Sequence, residues 1–132
     1  MTTPIRIAMW SGPRNISTAM MRAWENRSDA TVVDEPFYAA YLSRTGLDHP
    51  GAAEIIAHDE TDWRAVAETL LGPAPGNEPI WYQKLMTHHM LPEMGLDWIF
   101  GLANCFLIRS PREVIPSYIK VRPEPTQADL GL

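Results

Sequence analysis

The stretch that decides the fold is Ile5-Arg-Ile-Ala-Met-Trp10, followed directly by Ser11-Gly-Pro-Arg-Asn-Ile-Ser-Thr18. The apolar run predicts a strand, and Ser-Gly-Pro ends it before a helical pattern begins. The first turn of a helix has backbone N–H groups without partners, at the positive end of the helix dipole. Because Arg14, Ser17 and Thr18 add charge and hydroxyl donors, this order of parts is typical of a phosphate- or sulfate-binding loop. An ordinary strand-to-helix turn is the alternative.

Strand patterns alternate with helical patterns along the rest of the chain. Strands are predicted at 5–10, 31–34, 80–86 and 103–108, and helices at 16–27, 37–44, 62–71 and 111–120. Segments 46–51 and 72–79 are rich in turn residues and predict loops. This order favours a single α/β domain over 1–132, with a parallel sheet, helices on both faces and a loose tail at 121–132.

Composition limits the classes of function. The 132 residues carry 11 Lys and Arg against 16 Asp and Glu, a formal net charge of −5, which argues against general nucleic-acid binding. An anion must therefore be held by a local cluster. Cys105 is the single cysteine, and its apolar neighbours predict a buried small side chain in a reducing compartment.

The chain has no run of about 18 apolar residues and no signal-peptide pattern, so we expect a cytoplasmic protein without membrane contact. The sequence does not indicate an oligomeric state. The first loop is also not a Walker A motif, since counting from Gly12 the lysine and the second glycine are absent. A standard ATPase or GTPase is therefore disfavoured.

A second motif follows the last predicted strand, Ile108-Arg-Ser-Pro-Arg-Glu-Val-Ile-Pro-Ser117. An arginine ends the strand, and Ser117 lies eight residues later, about two turns into a helix. The carboxyl ends of parallel strands share one edge, so Arg109 and Arg14 are expected to face the same crevice. The alternative is that Arg109 merely ends a strand and Arg112 forms a surface ion pair with Glu113 or Glu124.

Together, these two motifs resemble the sulfotransferases that use 3′-phosphoadenosine 5′-phosphosulfate (PAPS). In that family a Pro-Lys-Ser-Gly-Thr-Thr loop holds the 5′-phosphosulfate, and Pro13-Arg-Asn-Ile-Ser-Thr18 lies over it. An arginine and a serine eight positions later bind the 3′-phosphate, and Arg109 and Ser117 reproduce that spacing. The resemblance implies a P-loop-like α/β fold. The donor-binding residues it implies are Gly12, Pro13, Arg14, Asn15, Ile16, Ser17, Thr18, Arg109 and Ser117.

The resemblance also implies catalytic residues. Arg14 stands where the family has a catalytic lysine; it keeps the positive charge, but a guanidinium is a poor proton donor. Thr87-His88 matches the family's Thr-His, although Met86 replaces the preceding lysine. His88 or His89 is therefore a candidate base. A histidine suits this role because its unperturbed pKa is near neutrality. Without the resemblance, both histidines are ordinary loop residues.

The segment Asp34-Glu35-Pro36-Phe37 follows the second predicted strand. Some bacterial sulfotransferases have an acidic residue there that helps with the acceptor, which makes Glu35 a candidate. Asp34 is expected to be a solvated turn residue. Six aromatic residues can line an acceptor pocket or pack in the core: Trp24, Phe37, Tyr38, Tyr41, Trp81 and Tyr82.

The resemblance thus implies transfer of a sulfuryl group from PAPS to a hydroxyl or amine of a small-molecule acceptor, without a metal. Family domains run on past this length, so the chain is expected to be an N-terminal part of an incomplete fold. Two alternatives remain open. One is a nucleotide-kinase-like phosphoryl transferase, which should show a loop lysine and carboxylates for Mg²⁺. The other is a non-catalytic nucleotide-binding or interaction domain.

Overall fold

The computed structural model describes residues 3–130, and within them the chain forms four strands and five helices. The strands are β1 (Ile5–Ser11), β2 (Ala30–Asp34), β3 (Ile80–Met86) and β4 (Ala103–Leu107). The helices are α1 (Ser17–Glu25), α2 (Tyr38–Thr45), α3 (Ala52–His58), α4 (Trp63–Leu70) and α5 (Pro111–Ile119). Short 3-10 helices lie at Thr87–His89 and Asp97–Gly101. No helix within 3–130 is both long and apolar enough to cross a membrane.

All three strand pairings in the sheet are parallel, and the strand order is β2-β3-β1-β4. The last residue of β1, Ser11, is level with Met86 of β3 and Leu107 of β4. The last residue of β2, Asp34, is level with Lys84. The predicted α/β architecture is confirmed, and the carboxyl ends of all four strands form one edge.

Strand β3 lies inside the sheet and is buried on both faces, so its sequence is almost continuously apolar. On one face, Gln83 Nε2 donates to the Leu70 carbonyl of α4 at 3.0 Å. On the other, Tyr82 stacks on Trp24 of α1 with ring centroids 5.4 Å apart. The main core lies on the α4 side of the sheet; its buried residues are Ala8, Trp10, Phe37, Ala40, Trp63, Val66, Ala67, Leu70, Ala74, Trp81, Leu85 and Met94.

The predicted elements are confirmed with shifts of one or two residues at their ends, but α3 is absent from the sequence prediction. This helix buries none of its residues, so the sequence lacks the apolar face that indicates a helix. It begins after Gly51, whose φ of 76° is a left-handed conformation that glycine adopts without strain. Helix α5 continues through Pro116, although proline removes one helical hydrogen bond there.

The prediction that Cys105 is buried is wrong. Cys105 is exposed because β4 forms the edge of the sheet and its outer side has no neighbouring strand among the described residues. The same edge leaves Phe106 69% and Ile108 88% exposed.

The described part of the tail, residues 121–130, makes specific contacts. Thr126 and Asp129 exchange hydrogen bonds, from the Thr126 amide at 3.0 Å and from the Asp129 amide at 3.1 Å. Leu130 is buried. A Cβ atom placed on Gly12 would lie 2.7 Å from the Leu130 carbonyl oxygen, so only glycine lets this backbone approach the first loop so closely.

Candidate functional site

The N-terminus of α1 lies at the carboxyl edge of the sheet and lacks an internal cap. Its N-cap residue, Ile16, provides no capping side chain, and its first turn has no acidic residue. Asn15 instead donates to the Gly12 carbonyl at 3.2 Å and shapes the loop that precedes the helix. The first-turn amides are therefore available to an external anion. Ile16 is 64% exposed, and its aliphatic side chain has no hydrogen-bond donor, so only its backbone can contact an anion.

Two of the candidate residues have left-handed backbone conformations. Arg14 has a φ of 60° and Glu35 a φ of 48°. This conformation costs a non-glycine residue about 1 kcal/mol, and such residues cluster at functional sites. Asn77 and Glu124 share it in other loops. Arg14 lies three residues after the end of β1 and Glu35 directly after the end of β2, both on the edge where the candidate site lies.

The structure brings Arg14, Arg109 and Ser117 into direct contact. Arg14 Nε donates to the Ser117 hydroxyl at 2.8 Å, and Arg109 Nη1 donates to the Arg14 carbonyl at 2.6 Å. Arg109 Nε also lies 3.4 Å from a carboxylate oxygen of Glu113. The two motifs, 95 residues apart between Arg14 and Arg109, thus meet on one side of the molecule, as expected for a shared crevice.

Local structure explains how α5 positions its two candidates. Ser110 caps the helix by accepting a hydrogen bond from the Arg112 amide, and Pro111 occupies the first turn. This fixes the start of α5 two residues after Arg109 and places Ser117 about two turns along the helix. A cavity of about 330 Å³ lies between the first loop and α5. Its lining includes Gly12, Pro13, Asn15, Phe106, Ile108 and Arg109.

Lys84 belongs to the site, although the sequence prediction assigns it no role. It is 4% exposed, and its Nζ lies 3.0 Å from the Thr18 hydroxyl oxygen, to which it donates. The same Nζ lies 3.0 Å from Asp34 Oδ1 and 3.2 Å from Glu35 Oε2. A charged residue inside an apolar strand is the signal that points to it, because buried lysines are nearly always paired. Asp34, expected to be only solvated, is 46% exposed but pairs with this ammonium.

Glu35 connects Lys84 to the histidines. Its backbone amide donates to the Lys84 carbonyl at 3.0 Å, which holds the start of the turn against β3. Glu35 Oε1 lies 3.9 Å from His89 Nε2. Contacts therefore run from Thr18 at the anion-binding loop through Lys84 and Glu35 to His89.

His88 and His89 lie in a group of aromatic rings. Their own ring centroids are 4.4 Å apart, and Tyr38 stacks on His89 with centroids 5.0 Å apart. Burial lowers the pKa of His88 to about 4, and burial also lowers the pKa of His89 well below the ordinary value. Burial thus moves both pKa values below the ordinary histidine value that makes these residues candidate bases in the sequence. Both imidazoles are neutral at pH 7, and each is a weaker base than an exposed histidine.

The Nδ1 atoms of His88 and His89 have no hydrogen-bond partner within residues 3–130. The remaining predicted loop residue, Ser17, is buried at the start of α1. In the described part of the chain, no three His, Cys, Asp or Glu side chains are grouped as they would be at a metal site.

Comparisons with known proteins give one family and two relatives. Residues 5–132 match the family described as the sulfotransferase domain. The chain is 33% identical over 132 residues to branched-chain-amino-acid aminotransferase-like protein 1 of Arabidopsis thaliana, covering 100% of this chain and 23% of that protein. It is 32% identical over 126 residues to the aminotransferase-like protein 2 of the same plant, covering 96% and 22%. The chain thus spans less than a quarter of these relatives. No solved structure matches it significantly.

Proposed function

The chain belongs to the sulfotransferase domain family, and on that basis we propose that it binds PAPS and transfers its sulfuryl group to a hydroxyl or amine of a small molecule. The observation that carries this proposal is the contact between Arg14, Arg109 and Ser117 beside an uncapped helix N-terminus. Two sequence motifs that each suit an anion meet at one edge of the sheet. A donor with phosphate groups at both ends of one ribose requires such a pair of anion sites.

The 5′-phosphosulfate would be held by the first loop. The backbone amides of residues 15–18 supply neutral donors, and the hydroxyls of Ser17 and Thr18 add two more. Arg14 supplies the charge, and its left-handed backbone is the observation that favours a special role. Lys84 adds a second cation, because its ammonium already contacts Thr18. These hydrogen-bond donors and cations together suit an anionic group.

The 3′-phosphate would be held by Arg109 and Ser117. A guanidinium and a hydroxyl are common phosphate ligands in proteins. The adjoining cavity of about 330 Å³ has apolar walls that include Phe106 and Ile108. Arg109 lines the same cavity. Apolar walls beside a cation suit a nucleoside that carries phosphate. Gly12, Pro13 and Asn15 form the loop side of this cavity.

Sulfuryl transfer depends on alignment and on charge stabilisation. The bond from the acceptor to sulfur forms while the bond from the bridging oxygen to sulfur breaks, and adenosine 3′,5′-bisphosphate leaves. Negative charge grows on the leaving phosphate, where Arg14 and Lys84 would stabilise it. Glu35, which pairs with Lys84, would take the acceptor's proton, and His89 or His88 is the other candidate for this step.

Thermal unfolding with different nucleotides tests the proposal. Adenosine 3′,5′-bisphosphate at 100 times its dissociation constant should stabilise the protein by about 2.7 kcal/mol. ATP with Mg²⁺ should give a much smaller shift. A larger shift with ATP and Mg²⁺ would favour a nucleotide-kinase-like phosphoryl transferase. No shift with either nucleotide would favour a non-catalytic domain and would contradict the proposal.

A further inference from the structure

Residues 123–130, which follow α5, lie against the cavity beside the first loop. Leu130 lines this cavity of about 330 Å³ together with Gly12, Asn15 and Arg109. We propose that residues 123–130 form an autoinhibitory strap, which takes up part of the donor site and must move away before the nucleotide binds. This inference rests on the proposed function, because it concerns the site assigned there to the donor.

One side chain anchors the strap. Leu130 is 8% exposed, and it is the only buried residue between positions 121 and 130. Among residues 3–130, no hydrogen bond or ion pair joins residues 123–130 to the rest of the chain. The strap is therefore held by the apolar packing of a single leucine, so it can open at a small cost in free energy.

The hydrogen bonds of the strap are internal, so it can open as a unit. Thr126 and Asp129 exchange bonds between side chain and backbone. The Leu130 amide donates to the carbonyls of Thr126 and Gln127, at 3.3 and 3.2 Å. These bonds form one compact turn that presents Leu130 to the cavity. Withdrawing the leucine from the cavity breaks none of them.

The charge of the strap conflicts with a bound nucleotide. A Cβ atom on Gly12 would lie 2.7 Å from the Leu130 carbonyl oxygen, so this oxygen lies against the loop assigned to the 5′-phosphosulfate. Its partial negative charge repels the oxygens of a sulfate or phosphate at short range. The strap also carries two carboxylates, Glu124 and Asp129, and no cationic residue. Both features oppose an anionic ligand.

The cavity is also small while Leu130 is in place. Ligand cavities in proteins span about 300–1,000 Å³, and 330 Å³ is close to the lower limit. Adenosine 3′,5′-bisphosphate contains a base, a ribose and two phosphate groups, so it needs more room than a small metabolite. Withdrawal of Leu130 removes one wall and enlarges the site. The nucleotide then binds the open form alone, and its apparent dissociation constant rises as the open fraction falls.

Leu130→Ala tests the strap. The smaller side chain removes most of the anchor, so calorimetry on the full chain should show that adenosine 3′,5′-bisphosphate binds about tenfold more tightly than to the wild type. Leu96→Ala is the control, because Leu96 is 48% exposed and does not line the cavity, and it should retain the wild-type affinity.

The outcomes separate the strap from the proposed function. Equal affinity of the wild type and Leu130→Ala would overturn the strap and leave the function standing. Weaker binding by Leu130→Ala would also overturn it, since the segment would then be a lid that helps to hold the nucleotide. Binding by neither protein would contradict the proposed function, and the strap with it.

A spin label provides a second measurement that leaves Leu130 intact. Ala128 is exposed, so Ala128→Cys can carry the label once the exposed Cys105 is replaced by serine. Saturating adenosine 3′,5′-bisphosphate should increase the mobile component of the electron paramagnetic resonance spectrum, because the strap leaves the cavity. Adding Leu130→Ala should give the mobile spectrum without nucleotide. A spectrum that stays the same while calorimetry shows saturation of this labelled protein would overturn the strap.

Discussion

Arg14 donates through Nε to the hydroxyl of Ser117 at 2.8 Å, across 103 residues of sequence. This bond joins the first loop to α5, so the two candidate anion sites are one connected surface. A change at either motif should therefore be visible in nucleotide binding, and nucleotides with and without a 3′-phosphate can separate the contributions.

Replacing Arg109 with Ala should weaken adenosine 3′,5′-bisphosphate binding by about 10- to 100-fold, because a charge-assisted phosphate contact is lost. AMP, which lacks the 3′-phosphate, should bind within about twofold of the wild-type affinity. Calorimetry with both nucleotides measures the difference. Arg112→Ala is the matched control, since Arg112 is an exposed arginine three residues along whose guanidinium makes no ion pair within residues 3–130. Equal losses for the two nucleotides would remove the 3′-phosphate assignment.

Substitutions at Arg14 separate the effect of its charge on nucleotide binding from the effect of its backbone conformation on stability. Arg14→Ala and Arg14→Gly both remove the guanidinium, so both should weaken adenosine 3′,5′-bisphosphate about tenfold or more. Glycine adopts the φ of 60° without strain, so the Gly variant should be the more stable of the two by about 1 kcal/mol. Urea denaturation gives the stability difference. A more stable Ala variant would show that the loop changes its backbone conformation when the arginine is removed.

Lys84→Met tests whether the buried lysine serves binding more than folding. Methionine fills a similar volume, and removing one partner of an ion pair is costly mainly where the other charge is left buried. Asp34 and Glu35 are partly exposed and remain solvated without their partner. We expect a melting temperature within a few degrees of wild type and a tenfold or larger loss of affinity for adenosine 3′,5′-bisphosphate. Lys120→Met, on an exposed lysine, is the control. Full nucleotide affinity in Lys84→Met would exclude a contact between Lys84 and the donor.

The buried histidines make stability depend on pH. The pKa of His88 is about 4 in the folded protein against an ordinary 6.5, because burial disfavours the charged ring. The unfolded chain therefore binds more protons between these values, and the free energy of unfolding falls as pH decreases through that range, by up to about 3 kcal/mol. Below pH 4 this contribution no longer changes. Urea midpoints at pH 7 and 4.5 measure the slope.

His88→Gln should reduce that slope, since glutamine does not titrate. Carboxylates also take up protons near pH 4, so the slope of the free energy of unfolding against pH is compared between each variant and the wild type. His58→Gln, at an exposed histidine in α3, should retain the wild-type slope. An unchanged slope in His88→Gln would mean that the ring is already accessible to water.

The sequence predicts the sheet and the contact of the two motifs because both depend on local patterns. Apolar runs that end in turn residues define the strands, and parallel pairing then brings their carboxyl ends together. Arg14 and Arg109 follow two such strands, so their proximity follows from topology. Helix α3 could not be predicted in the same way, because it has no apolar face for periodicity to detect.

Burial could not be read from residue type at other positions. Cys105 lies in an apolar run, yet the strand that carries it is at the edge of the sheet. Edge and interior strands look alike in sequence, and the order of strands decides between them. For His88 and His89, the sequence indicates a loop after β3, but the low pKa depends on how closely Tyr38 and Tyr41 cover the rings. The pairing of Lys84 with Asp34 likewise depends on the register of β2 against β3.

The pairing of Lys84 with Glu35 couples two events that a reaction needs at the same time. While Glu35 is ionised, an arriving phosphate must share the ammonium with it, so the nucleotide is gripped less firmly than an unpaired lysine would grip it. A Glu35 that accepts the acceptor's proton loses its negative charge and stops competing. The ammonium, still paired with Asp34, would then attract the departing nucleotide more strongly while negative charge accumulates there, so deprotonating one reactant would help the other to leave.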